Sequence, residues 1–324
     1  MSTTIKDVAL EAGVGVGTVS RVINDTGSVN PKTKKIVEDA IKKLNYVPSS
    51  IGVRLRTNKT KTIALLIPVI TDLFFTKLVQ YVEQELDKYN YSLIVVSSQQ
   101  RISKELEIID KLKRKEVDGA LIVTHYQHDE SDLENCNIVS IDRHLGNSIP
   151  YVTSSNYESS KKAIEYLIAR GCKKIGFIGS KPLVESEVSL REKAYDEIIQ
   201  KYNLNSYKVN EVINHGEENK IVDDFFDKYK EIDGLFVSGF TLSQTVYKKI
   251  QQLHIDLPNQ LQLISFDENF VDWIINLPDI TCVKQDIQEL AKQSVSILID
   301  KIDGKKVPSK TIIKTNFKKG FTTK

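Results

Sequence analysis

Apolar positions recur along this chain with two different periods, and the change comes near residue 62. Before it, they sit three and four apart in short segments. Ile5, Val8, Ala9 and Ala12 fall on one helical face, and Thr4 with Asp7 has the form of a capping box that starts it. Gly13 breaks that helix. After a short turn, Val19, Val22 and Ile23 resume helical spacing within 16–24. Asn30-Pro31 then reads as the N-cap and first position of a third helix, with the stripe Val37, Ala40, Ile41 and Leu44 and an end at Pro48. Two short helices joined by a tight Gly-containing turn form a helix-turn-helix unit, whose second helix can lie in a major groove.

Beyond residue 62, apolar β-rich runs alternate with amphipathic stretches. Strands are expected over Ile63–Pro68, Ser92–Ser97, Gly119–Val123, Ile138–Ile141, Lys174–Ile178, Gly234–Val237 and Leu263–Phe266. Helices are expected over Phe75–Tyr89, Lys104–Lys115, Tyr157–Ala169, Arg191–Tyr202, Lys220–Tyr229 and Leu242–Leu253. The fold class is therefore α/β, with a small helical head and parallel sheets joined by right-handed crossovers. Roughly 260 residues are enough for two lobes. Ligands on such sheets bind beyond the carboxyl ends of the strands. Thr71, Asp72, Phe74 and Phe75 follow the first strand, Asp142 closes Ile138–Ile141 and Asp267 closes Leu263–Phe266, so all are cleft candidates.

Charge sharpens this picture. Up to Lys61 there are 11 Lys/Arg against 5 Asp/Glu, a net of +6, while the remainder carries 34 against 38. Positive charge concentrated at one end is the footprint of phosphate binding. A solvated lysine-rich helix accounts for Lys34, Lys35, Lys42 and Lys43, but not for Thr18, Ser20 and Asn24 along the outer side of the second helix. Gly13-Val-Gly15-Val-Gly17 mimics a nucleotide-binding loop, yet a helix rather than a strand precedes it.

Other chemistry is sparse. No apolar run reaches the length of a membrane span, and Met1-Ser-Thr-Thr-Ile-Lys6 lacks a signal-peptide core, which points to the cytoplasm. Cys136, Cys172 and Cys282 are widely separated and read as buried thiols. His125 and His128 lack an evident third ligand and read as a surface pair, so no metal is expected. No catalytic constellation, cofactor motif, internal repeat or low-complexity tract stands out, and an enzyme is not expected.

Thr4-Ile-Lys-Asp-Val-Ala9, Ala12-Gly-Val14, Thr18-Val-Ser-Arg-Val22, Asn24 and Tyr46-Val-Pro48 resemble the signature of the LacI/GalR family of bacterial repressors, and the resemblance continues into the body. It implies that Val16 and Gly17, with Arg21 one turn on, face base edges. It places phosphate contacts at Thr4, Thr18, Ser20, Asn24, Asn30, Thr33 and Tyr46. The chain departs at Gly15, where a capping Ser is usual. Arg21 can bind guanine bidentately, whereas Val16 can only pack on a thymine methyl. The segment after Pro48 resembles a hinge helix that folds on DNA, with Leu55 as the wedge entering the minor groove. Gly52 and Val53 replace the usual Ala and Arg there.

The resemblance also implies a periplasmic-binding-protein-like body. It divides the chain into a DNA-binding domain 1–48, a hinge 49–61, and an effector-binding and dimerisation domain 62–324. Lobe 1 would take about 62–160 and 286–314, and lobe 2 about 161–285 and 315–324. Arg191, Asp142 and Asp267 match effector-contacting positions, and Arg and carboxylates suit vicinal hydroxyls. Strand-end caps or interlobe salt bridges are the competing roles for the two carboxylates. Where the family commonly has Asn-Asp, this chain has Gly239-Phe240, so Phe240 either stacks on the ligand or plugs the cleft; Trp273 poses the same choice.

The leading expectation is a homodimeric repressor of a carbohydrate-utilisation operon that binds double-stranded operator DNA and a sugar or sugar phosphate. A global catabolite regulator with a phosphoprotein corepressor and a purine- or nucleoside-responsive repressor are the alternatives within this class. A solute-binding protein for transport is the competing class, against which the head and the missing signal peptide argue. One head reads a half-site, so two are needed. The surfaces of Phe74–Tyr91 and Leu93–Lys115 are the expected dimer faces. Thr311–Lys324 is too short for a tetramerising coiled segment.

Overall fold

The computed structural model describes residues 3–47, 59–99, 101–124, 126–184, 186–213, 216–268 and 279–324. Leu55 with most of the expected hinge, Pro48, His125 and Trp273 lie outside the described residues. The chain divides into two compact units, Met1–Thr60 and Lys61–Lys324, each described by itself.

Among the described residues the first unit holds three helices: α1 (Ile5–Ala12), α2 (Val16–Ile23) and α3 (Pro31–Lys43). The Asp7 carboxylate reaches back to the Thr4 N–H at 2.8 Å and also accepts the Thr4 hydroxyl at 2.7 Å, fixing the start of α1. Gly13, with φ 63°, turns the chain out of α1 in a conformation that a side chain resists. Asn30 caps α3 by accepting from the Lys32 N–H at 2.9 Å, with Pro31 at the first position. Val8, Ala9, Val19, Val22, Val37 and Ala40 form the buried core, flanked by Ile5, Ile23, Ile41, Leu44 and Tyr46.

Among the described residues the second unit contains two six-stranded sheets. In chain order its elements are β1 (Thr62–Ile67), α4 (Leu73–Asp87), β2 (Ser92–Ser97), α5 (Ile102–Lys113), β3 (Gly119–Ile122), α6 (Glu130–Leu133), β4 (Ile138–Ile141) and β5 (Tyr151–Ser154). There follow α7 (Asn156–Ala169), β6 (Ile175–Ser180), α8 (Leu190–Lys201), β7 (Tyr207–Glu211), α9 (Glu218–Lys228), β8 (Gly234–Val237), α10 (Phe240–Gln252) and β9 (Gln262–Phe266). The chain closes with β10 (Thr281–Gln285), α11 (Ile287–Ile302), β11 (Lys310–Ile313) and β12 (Thr315–Lys318).

Lobe 1 is built on the sheet β11-β5-β4-β3-β1-β2 and lobe 2 on β12-β10-β9-β8-β6-β7. The chain passes between the sheets after Ser154, after Gln285 and at Lys314. All pairings are parallel except β10 with β12, which is antiparallel and departs from the all-parallel expectation. β5, β7, β10, β11 and β12 were not among the expected strands, nor α11 among the expected helices. Phe74, Leu78, Val82 and Leu86 of α4 enter the lobe 1 core beside Leu290, Ala291 and Val295 of α11. That face of α4 is therefore spent within the chain and is not open for a dimer contact. Among the described residues no helix is long and apolar enough to cross a membrane. All three cysteines are buried and unpaired.

Candidate functional site

The head turns its α2 side chains outward from a six-residue core. Val16, Gly17 and Arg21 are exposed, Thr18, Ser20 and Asn24 partly so, and only Val19 and Val22 are buried. A methyl group added at Gly15 or Gly17 would meet nothing within 4 Å, so this surface is clear of the unit's own side chains. The Arg21 Nε donates to the Gly17 carbonyl at 3.3 Å, folding the guanidinium along its own helix. Asn24 donates to the Ser20 carbonyl at 2.5 Å. The remaining expected contacts are scattered over the unit: Thr4 and Asn30 are exposed helix caps, Thr33 is partly exposed, and Tyr46 packs against the core. Lys34 pairs with Asp25 and Lys43 with Glu11, so two of its lysines have anionic neighbours.

Between the lobes lies a cleft of about 470 Å³. All seven expected effector residues line it: Thr71, Phe74, Phe75, Asp142, Arg191, Phe240 and Asp267. The architecture explains why. Asp142 follows β4 in lobe 1 and Asp267 follows β9 in lobe 2, so each carboxylate leaves the carboxyl end of a central strand and enters the same space. Both have left-handed backbone, φ 58° and 85°, which Asp tolerates better than most residues. Each backbone N–H then pairs with the neighbouring strand, Asp142 with the Val152 carbonyl and Asp267 with the Val283 carbonyl.

Burial sets the electrostatics. Asp142, Arg191 and Asp267 are each less than a tenth exposed. Burial pushes the Asp267 carboxyl up to about 6, against the opposing pull of the Arg191 guanidinium and the Gln285 amide. Asp142 is raised for the same first reason, opposed by Arg191 and by the Thr153 hydroxyl, which donates to it at 2.8 Å. Burial lowers Arg191 below its ordinary value, and the two carboxylates work to restore it. The Arg191 Nε donates to the Asn156 Oδ1 at 2.7 Å, and its guanidinium lies 3.5 Å from the Phe266 ring centroid. One cation thus feels the charge of one acid from each lobe.

Several residues of this site escaped sequence reasoning. Gln285 donates to the Asp267 Oδ1 at 2.5 Å and keeps its own buried Oε1 without a partner at the cleft wall. Asn156, fully interior, orients Arg191. Arg143 also lines the cleft; it donates to the Thr124 carbonyl at 2.8 Å while its Nε is buried and unpartnered. Position just after a strand end is a signal that could have found Arg143; nothing local marks Gln285 or Asn156.

Phe240 sits where lobe 2 meets the cleft. It lines the cleft and packs against the lobe 1 core from the first turn of α10 in lobe 2. Beside it, the Thr241 hydroxyl donates to Asp72 at 3.2 Å across the lobes. Gly239, at φ 143°, occupies backbone space that a side chain would strain, so glycine at this departure is dictated by the path into α10. The histidine reading needs correction. His128 is buried, not superficial, with its Nε2 2.7 Å from the Glu105 carboxylate. Among the described residues no cluster of His, Cys, Asp or Glu could hold a metal ion.

Comparison with known proteins matches residues 4–49 to the model of bacterial regulatory proteins, lacI family, and residues 164–323 to a periplasmic binding protein-like domain. The chain is 31% identical to a ribose operon repressor of Halalkalibacterium halodurans, over 98% of each chain. It is 30% identical to a sucrose operon repressor of Streptococcus mutans, over 97% of each. In fold it matches a lac repressor dimer bound to operator and an anti-inducer, with a TM-score of 0.86 at 20% identity, covering 100% of this chain and 99% of that one.

Proposed function

The chain belongs to the LacI family of bacterial regulatory proteins and is a DNA-binding transcriptional regulator rather than an enzyme, and from that premise we propose that it is a cytoplasmic, homodimeric repressor of a carbohydrate-utilisation operon. Its head engages operator DNA through Val16, Gly17 and Arg21 at base edges. Thr4, Thr18, Ser20, Asn24, Asn30, Thr33 and Tyr46 lie at the backbone, and Leu55 enters the minor groove. A sugar-like effector occupies the interlobe cleft and changes operator affinity by shifting the balance of lobe arrangements.

The observation that carries this reading is the buried triad of Arg191 with Asp142 and Asp267, on the same chain as the basic head. Hydroxyls that donate to the carboxylates and accept from Arg191 offset the cost of keeping these charges from water. The unpartnered Gln285 Oε1 asks for one more donor. Phe74, Phe75 and Phe240 offer apolar surface to a C–H face. For the dimer, Ile94 on edge strand β2 and Ile102 and Leu106 on α5 are exposed apolar side chains on the expected face.

A thermal-shift screen of D-ribose, sucrose and related sugars identifies the effector, and anisotropy titration of a near-palindromic duplex with and without the hit tests the coupling. The expected result is a stabilising sugar that moves duplex affinity severalfold in one direction. A sugar that stabilises the protein and leaves duplex affinity unchanged contradicts the coupling.

A further inference from the structure

We propose that Glu187, which does not line the cleft, is a positioning residue: an ionic strut between the lobes that sets the spacing of Arg191 and Asp142. Glu187 begins a single 3-10 turn that runs directly into α8, and Arg191 stands four residues later. Its carboxylate crosses to lobe 1 and receives three donors there. Lys310 Nζ lies 2.8 Å from Oε1, the Tyr151 hydroxyl 3.0 Å and His144 Nε2 3.3 Å. These come from the start of β11, the start of β5 and the loop after β4, three separate parts of one lobe. Lys310 and Tyr151 are themselves register partners across β5 and β11.

The backbone repeats the connection. Arg143 and Ser186 form an isolated antiparallel bridge, the Ser186 hydroxyl donates to the Asp142 carbonyl at 2.9 Å, and the Glu187 N–H donates to the same carbonyl at 3.1 Å. One short segment of lobe 2 is thus stitched to the residue that carries one cleft carboxylate, and it leads into the helix that carries the cleft cation. Glu187 is 8% exposed. Burial alone would raise its carboxyl; the donors from Lys310, Tyr151 and His144 outweigh that and leave it below its ordinary value. The carboxylate is therefore charged when the strut is made.

The interlobe contact between Asp72 and Thr241 is weaker in kind. It is one exposed hydrogen bond at 3.2 Å, and Asp72 also caps α4 by accepting from the Phe74 N–H at 2.8 Å. Losing Thr241 leaves Asp72 occupied, whereas losing Glu187 takes one acceptor from each of Lys310, Tyr151 and His144. Of these two polar connections, the one at Glu187 joins more parts of lobe 1.

The role of Arg191 as an effector ligand rests on the reading proposed above, so the test separates the two. Nitroxide labels at Lys306→Cys in lobe 1 and Lys220→Cys in lobe 2, diluted with unlabelled full-length protein, report the interlobe distance by pulsed electron resonance without ligand. Glu187→Gln and Lys310→Met should each broaden the distribution to longer distances, Lys310→Arg should restore it, and Thr241→Val should change it less. A Glu187→Gln distribution identical to the parent's overturns the strut. D-ribose titration is the second arm. With the competent population reduced, its apparent Kd should rise by the same factor as that population falls. Failure of the parent protein to bind any sugar offered would count against the effector reading alone, because the distance measurement decides the strut by itself.

Discussion

The candidate residues of the head are exposed, and those of the cleft are buried. On α2, Val16, Gly17 and Arg21 face solvent over a core of six small and branched residues. In the cleft, Arg191, Asp142 and Asp267 are buried, held by Asn156, Thr153 and Gln285, between two sheets with large apolar cores. The contrast has an energetic meaning. An exposed reading surface can change what it recognises at little cost to stability. A buried charged site couples recognition to stability and to pH, because each charge removed from water must be compensated. Operator preference is thus free to drift in such a protein, while effector preference is constrained by the fold that holds it.

The sharpest way to break this comparison is Arg191→Ala. It removes the cation the two buried carboxylates share, leaving Arg143 beside Asp142 alone, and breaking a buried charge pair costs about 3–5 kcal/mol. Urea unfolding should show that loss together with loss of the sugar response, while duplex binding by the head persists. Stability close to the parent's would mean that the site is not energetically buried.

Asp267→Asn sharpens it next. With the folded carboxyl near 6 and an ordinary value of 3.8, the native state holds the extra proton between these values. Stability therefore falls as pH rises through that window and levels off above it, a loss on the order of 3 kcal/mol at most. Urea midpoints measured across the window should flatten in Asp267→Asn by the share that Asp267 contributes, while raised Asp142 keeps a contribution of the same sign. An unchanged slope removes Asp267 from this account.

The smallest effect is on the head. Arg21→Ala should leave unfolding unchanged and cost about 1–3 kcal/mol of discrimination between matched and scrambled operators. Val16→Ala should cost less. Equal losses on both operators would assign Arg21 to phosphate rather than bases.

How legible was this molecule? The head was readable because caps and turn residues act locally: Thr4, Asp7, Gly13, Asn30 and Pro31 sit at the termini they mark. The central strands were readable as apolar runs, since parallel strands covered on both faces need them. The unread strands fail that test for physical reasons. β7, β11 and β12 include the sheet edges, with exposed or half-exposed polar positions. β5 and β10 carry Thr153 and Gln285, polar residues that are interior because they partner Asp142 and Asp267. α11 carries a legible apolar stripe in Leu290, Ala291, Val295 and Leu298.

In the cleft, strand ends and family likeness pointed to the three charges. Their supports stayed hidden, because Asn156 lies 35 residues from Arg191 and Glu187 lies 123 from Lys310, separations at which no local pattern survives.

The basic head is expected to grip a duplex through its phosphates. The most direct measurement is the affinity of the full-length protein for a near-palindromic duplex as a function of salt. Affinity should fall by at least tenfold between about 50 and 200 mM monovalent salt, linearly in logarithmic coordinates. Salt-independent affinity, or no binding even at the lowest ionic strength, would contradict it.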